Sequence, residues 1–215
     1  MNKENDNAVK QRLLDAGEEL FAEFGFNGTS SRQLTQKAGC NIASINYYFG
    51  GKNELYLEVL GRKMRYLRDI RLERINAKIS EKGDELTLED LVAVFANAFI
   101  EPLVKDAGGR NFLKLFSWEM LNPQFPKQKL VEDIKPIIDL MSVNMMKVCP
   151  GLTQEKAVLS ITSIAGQLFH CLHINNIFSE IKDESFAAFG FERRIQHVIE
   201  FSSAAIRGIS SKDNG

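Results

Sequence analysis

The residues best suited to chemistry cluster between Thr29 and Lys52, around the stretch GCNIASINYYFGGKNEL. That chemistry is recognition. Asn46 can both donate to and accept from a base edge in a DNA major groove. The hydroxyls of Ser44 and Tyr47 suit phosphate oxygens or bases. Lys52 stands at the start of a helix, where free backbone N–H groups already favour an anion. Thr29 and Ser30 bring two hydroxyls to another helix start, and Arg32 adds a charge beside them. Together they would read one groove and clamp the backbone on both sides of it. Taken singly, the same residues have plain structural readings. Tyr48 suits half-buried packing, Asn41 a helix cap and Lys52 a solvated surface. Their arrangement after a second short helix carries the signal.

Positioning this set requires short, well-terminated helices. The segment VKQRLLDAGEELFAEFG puts Leu13, Leu14, Leu20, Phe21 and Phe24 on one face, with Ala16 and Gly17 allowing close packing and Gly25 ending the helix. Thr29 or Ser30 caps SSRQLTQKAG, which stops at Gly39. Asn41 caps IASINYYF, anchored through Ile42, Ile45 and Phe49. Two short helices about Gly39 make a helix-turn-helix. Gly50 and Gly51 break the chain, and a long helix runs from Lys52 to about Ile79. Further helices are expected over 86–104, 111–121, 127–148 with a bend at Pro136, 153–177 and 189–206. No alternating strand pattern competes. The expected fold is all-α with about nine helices. A three-helix DNA-binding head over 8–55 precedes a helical ligand-binding and dimerisation body over 56–210.

Composition sets outer bounds. The 215 residues carry a net charge of −1, yet Gly28 to Arg74 holds nine basic against four acidic residues, a local +5. No run of 18 apolar residues and no signal-peptide core is visible, so a cytoplasmic protein without membrane contact is expected. Cys40, Cys149 and Cys171 have neither zinc-finger nor disulfide-framework spacing. GxGxxG, P-loop, GxSxG and HExxH motifs are missing, which argues against an enzyme and against a cofactor.

The segment LLDAGEELFAEFGFNGTSSRQLTQKAGCNIASINYYFGGKNELY closely resembles the DNA-binding domain of TetR-type transcriptional regulators. Ala16, Leu20, Phe21, Gly25, Thr29, Ala38, Gly39, Tyr48, Phe49, Lys52 and Leu55 carry the match, over roughly residues 10 to 60. The NIASINYYFGGK form is similar to a subgroup linked to antibiotic sensitivity and efflux. The resemblance implies a homodimer on a near-palindromic DNA operator, with repression relieved by a small-molecule effector. It implies backbone contacts from Thr29, Tyr48 and Lys52, and groove-facing positions at Ser44, Asn46 and Tyr47. An activator or dual regulator of the same fold is the alternative. So is a helical small-molecule-binding protein without DNA recognition.

The body supplies candidate linings for a largely apolar effector with polar groups. These are Phe95, Phe99, Phe112, Phe116, Met141, Met145 and Phe169, with Trp118, Met120 and Phe178 in support. Glu119, His170 and His173 are polar fixers, as are Asn97, Glu101 and Gln167; Glu119 would suit a cationic ligand. Each aromatic also suits plain core. His170 and His173 share a helix face, but nothing nearby completes a metal site. The last two long helices are the expected dimer seam. Ala157, Ser160, Ser163 and Ala165 allow close approach there, and Leu159, Ile161, Ile164 and Leu168 give apolar area.

Overall fold

Glycine placement sets the first helices. In the computed structural model, which describes residues 3–180 and 190–211, α1 (Lys3–Gly28) is broken at Gly25, whose φ of 68° lies in the left-handed region. The last residues of α1 are a separate turn, as the sequence predicts. α2 (Ser31–Ala38) ends on Gly39 with φ 61° and ψ 46°, and α3 (Ala43–Phe49) ends on Gly50. α4 (Lys52–Lys82) is followed by a 3₁₀ turn, Gly83–Glu85, then α5 (Leu88–Val104) and α6 (Ala107–Leu121). α7 (Lys127–Val148) runs through Pro136, and α8 (Gln154–Glu180) and α9 (Phe191–Ser210) complete the chain. Nine α-helices and no strand occur among the described residues.

α6 begins four residues before its expected start. Asp106 caps it, accepting from the Gly109 N–H at 2.8 Å. Two glycines conceal this start in the sequence. Gly109 is needed for space: a Cβ there would lie 2.3 Å from the Pro102 carbonyl oxygen.

The chain forms two compact units. The first is Met1–Leu67 with Pro102–Asp133, and the second is Arg68–Glu101 with Ile134–Gly215. In the first, α1 packs on α2 and α6. Its core holds Leu13, Phe21, Leu34, Ile45, Leu55 and Tyr56, each at most 1% exposed. Gly17 lets α4 approach α1, because a Cβ there would meet the Val59 side chain at 2.9 Å. In the second unit α8 packs on α9, and Ile75, Leu91, Met141, Met145, Ile161 and Leu168 are buried. Within α8, Gln154–Ile174 is the one described stretch long and apolar enough to cross a membrane, with mean hydropathy 1.4. Ala157, Ile161, Ile164 and Leu168 repeat along one face of that stretch and are buried in the unit's core, as in a packed core helix.

Candidate nucleic-acid interface

Three local devices hold the short helices in place. Ser30 and Gln33 form a capping box: the Gln33 N–H donates to Ser30 Oγ at 3.2 Å, and the Ser30 N–H donates to Gln33 Oε1 at 2.8 Å. Asn41 Oδ1 accepts from the Ala43 N–H at 2.9 Å, so it does cap the third helix. Arg12 Nε donates to the Ala38 carbonyl at 2.8 Å and ties α1 to the turn between α2 and α3. A seven-residue helix has little stability of its own. Within α3 only Ile45 is fully buried. Ile42 is 58% exposed, which corrects its expected anchoring role. It stands at the N-cap position, just ahead of the helix. Phe49 is half-buried, with the Lys10 ammonium 5.6 Å from its ring centroid.

The eight predicted DNA-contacting residues divide by exposure. Ser30, Arg32, Asn46 and Tyr47 are exposed, and Ser44, Tyr48 and Lys52 are half-buried. Thr29 is buried at 1% exposure, with its hydroxyl 2.8 Å from the Gly25 carbonyl oxygen and 3.0 Å from that of Leu20. Its side chain bridges two carbonyls of α1 at the break about Gly25. Lys52 Nζ donates to the Phe26 and Thr29 carbonyls, each at 2.8 Å, and lies 4.1 Å from the Phe26 ring centroid. Partial burial lowers its pKa below the ordinary lysine value. Lys52 therefore pins the α1–α2 turn and keeps one further N–H for an outside acceptor.

Sequence reasoning missed one partner at this surface. The Tyr48 hydroxyl donates to Asp6 Oδ1 at 2.9 Å, across 42 residues. That bond, then desolvation and the carboxylate charge, raises the Tyr48 pKa. Tyr47 packs edge-on against Tyr48 with centroids 4.8 Å apart. Behind the surface, Tyr56 makes edge contacts with Phe21 and Phe26 at 5.1 and 5.2 Å.

The predicted effector set divides between the units. Phe112, Phe116 and Glu119 belong to the first, while Phe95, Phe99, Met141, Met145, Phe169, His170 and His173 belong to the second. In the second unit Phe95 and Phe99 adjoin at 6.1 Å, and the Phe169 and His173 rings lie 4.2 Å apart. His170 is exposed. The side chain of Phe178 and the segment 181–185 lie outside the described residues. Glu119 departs from its expected part in meeting a cationic ligand. It is 8% exposed, accepts the Tyr56 hydroxyl at 2.7 Å, and accepts the Gln124 and Phe125 N–H groups at 2.6 Å each. Its charge is spent on fixing the turn after α6.

Residues 13–59 match the family described as bacterial regulatory proteins, tetR family. The HTH-type transcriptional dual regulator CecR of Shigella flexneri is 32% identical over 122 residues, 54% of this chain and 52% of that protein. The HTH-type transcriptional regulator RutR of Escherichia coli K12 is 37% identical over 70 residues, 33% of this chain and 31% of that one. The chain thus spans about half the length of CecR and a third of RutR. The fold is shared along almost the whole chain with the Bacillus subtilis regulator FadR, solved with stearoyl-CoA. The TM-score is 0.66 at 18% identity, over 90% of this chain and 97% of that one. The head at residues 13–59, with the capped α2–α3 pair at its surface, is thus the part of this chain that matches the tetR family of bacterial regulatory proteins.

Proposed function

We propose that the protein is a ligand-responsive, DNA-binding transcriptional regulator, a homodimeric repressor that a small-molecule effector releases from a near-palindromic operator. It is not an enzyme, and it works in the cytoplasm. Residues 8–55 carry DNA binding; 56–210 carry effector binding and pairing. The observation that supports this most is the outer face of α3. Asn46 and Tyr47 stand exposed while Ile45 and the Asn41 cap fix the helix beneath them. Asn46, Ser44 and Tyr47 face the major groove. Ser30, Arg32, Tyr48 and Lys52 meet phosphates on either side, and Thr29 supports them from within.

Pairing uses α8 and α9. Leu159 and Phe201 are 58% and 56% exposed, and with Ser163, Gln167, Ala205 and Ile209 they line an open apolar groove. A second copy of the same helices would cover it. The effector lies among Phe95, Phe99, Met141, Met145 and Phe169 of the second unit. CecR is named a dual regulator. That name supports a second reading in which operator position decides between repression and activation.

The test is selection of DNA from a genomic pool by the purified protein at physiological salt. One enriched palindrome, footprinted on one face, is the expected result. Binding to all sequences alike, or to none, would overturn the reading.

A further inference from the structure

Three arginines follow one another at turn spacing along α4, and their surroundings differ. Arg68 pairs with Asp69 at 2.8 Å, and Arg74 pairs with Glu101. Arg71 lies between them without such a partner among the described residues. Its guanidinium carbon sits 4.4 Å from the centroid of the Phe99 ring, and its Nε is buried with no hydrogen-bond acceptor among the described residues. The same side of α4 carries the fully buried Ile75 one turn on, and Phe95 adjoins Phe99. Burial pushes the Arg71 pKa down to about 10. The group is still a cation at neutral pH.

A buried guanidinium is normally matched by a carboxylate or by several carbonyls, because an unpaired charge in apolar surroundings is strongly unfavourable. An aromatic face offsets part of that penalty but accepts no hydrogen bond from Nε. The residue as a whole is half-buried, so its surface is not fully closed to an incoming group. Planar donors held in a fixed fork beside an aromatic ring suit a carboxylate, sulfonate or phosphate joined to an apolar body.

We infer that Arg71 is the anion anchor of the effector site, and that the effector class is an amphiphilic anion. Its acidic group meets the Arg71 fork, and its apolar part lies against Phe99 and Phe95. This rests on the effector-binding reading above and adds the sign of the effector's charge. No carboxylate of the expected lining is left to favour a cation instead: Glu119 belongs to the first unit and already accepts three hydrogen bonds, and Glu101 is committed to Arg74.

Two naphthalene dyes matched in apolar body test this. 1-Anilinonaphthalene-8-sulfonate carries the anion, and N-phenyl-1-naphthylamine lacks it. The wild-type chain should bind the sulfonate saturably. Arg71→Met should weaken that binding about tenfold or more and leave the neutral dye unchanged. The same variant without dye should melt no lower than wild type, since it replaces an unpaired buried charge by apolar volume. Equal sulfonate binding by variant and wild type would overturn the inference, while saturable binding of both dyes would leave the effector site standing. Failure of the wild type to bind either dye would overturn both. A lower melting temperature for Arg71→Met would reveal an internal partner for the guanidinium and would also overturn it.

Discussion

Substitution of Asp6 by asparagine should tighten binding to every DNA sequence. A phenol has one proton, and that of Tyr48 is given to Asp6 Oδ1 at 2.9 Å. A phosphate accepting from Tyr48 must take that proton from the carboxylate. It would then sit beside a like charge, with both acceptors about 2.8 Å from one hydroxyl and hence about 5 Å apart. Two unit charges at that separation in water reduce affinity about fourfold per head. Screening over a Debye length of about 8 Å at physiological salt leaves about twofold. Two heads in the proposed dimer give about four- to fivefold. The assay is fluorescence anisotropy on a selected site and on random duplex, at low and physiological salt. Asp6→Asn should gain by this factor on both duplexes, with the larger gain at low salt. Tyr48→Phe should lose affinity on both. Unchanged or weaker binding by Asp6→Asn would refute the reasoning, because Asp6 would then be positioning Tyr48 rather than competing for its proton.

Three further outcomes follow from the same surfaces. Tyr56→Phe should cost about 2 kcal/mol, by removing a buried donor to the Glu119 carboxylate, and lower the melting temperature by about 4–8 °C. The wild-type phenol is raised above its ordinary value by burial and then by Glu119, so its stabilisation is full below about pH 10 and lost as pH rises beyond it. Tyr56→Phe should lack that alkaline loss in pH-dependent denaturation. Asn46→Ala should relax preference at one base pair, costing about 1–3 kcal/mol there, whereas Lys52→Ala should weaken all duplexes alike and lower the salt slope; binding selections with each variant would separate the two. Phe201→Glu should raise the dimer dissociation constant about thirtyfold or more in sedimentation experiments, if the exposed α8–α9 face is the pairing seam.

Local grammar made the head legible from the chain alone. Gly25, Gly39 and Gly50 end helices because each adopts a positive φ, and Ser30 and Asn41 cap because their oxygens reach unpaired N–H groups two or three residues on. Those signals act within a turn of chain. One misreading is local: spacing places Ile42 among the anchors, but it stands ahead of the helix and is exposed. The others lie where the deciding partner is distant. Asp6 meets Tyr48 across 42 residues, and Glu119 meets Tyr56 across 63. Neither pairing has a periodic signature. The solitary character of Arg71 was equally hidden, because it differs from Arg68 and Arg74 only in what surrounds it.

The close approach of α6 to the break in α1 also supplies an optical label. The chain has a single tryptophan, Trp118. Its indole lies against Gly25, where an added Cβ would be 3.3 Å from the ring, and it is 42% exposed. Intrinsic emission at long excitation wavelengths therefore reports on the first unit alone, at the joint that Thr29 closes. Circular dichroism averages over every helix in the chain. A melt followed both ways would show coincident curves for one cooperative transition, and an early emission change if the head loosens first. No dye or engineered label is needed to watch the first unit separately from the rest.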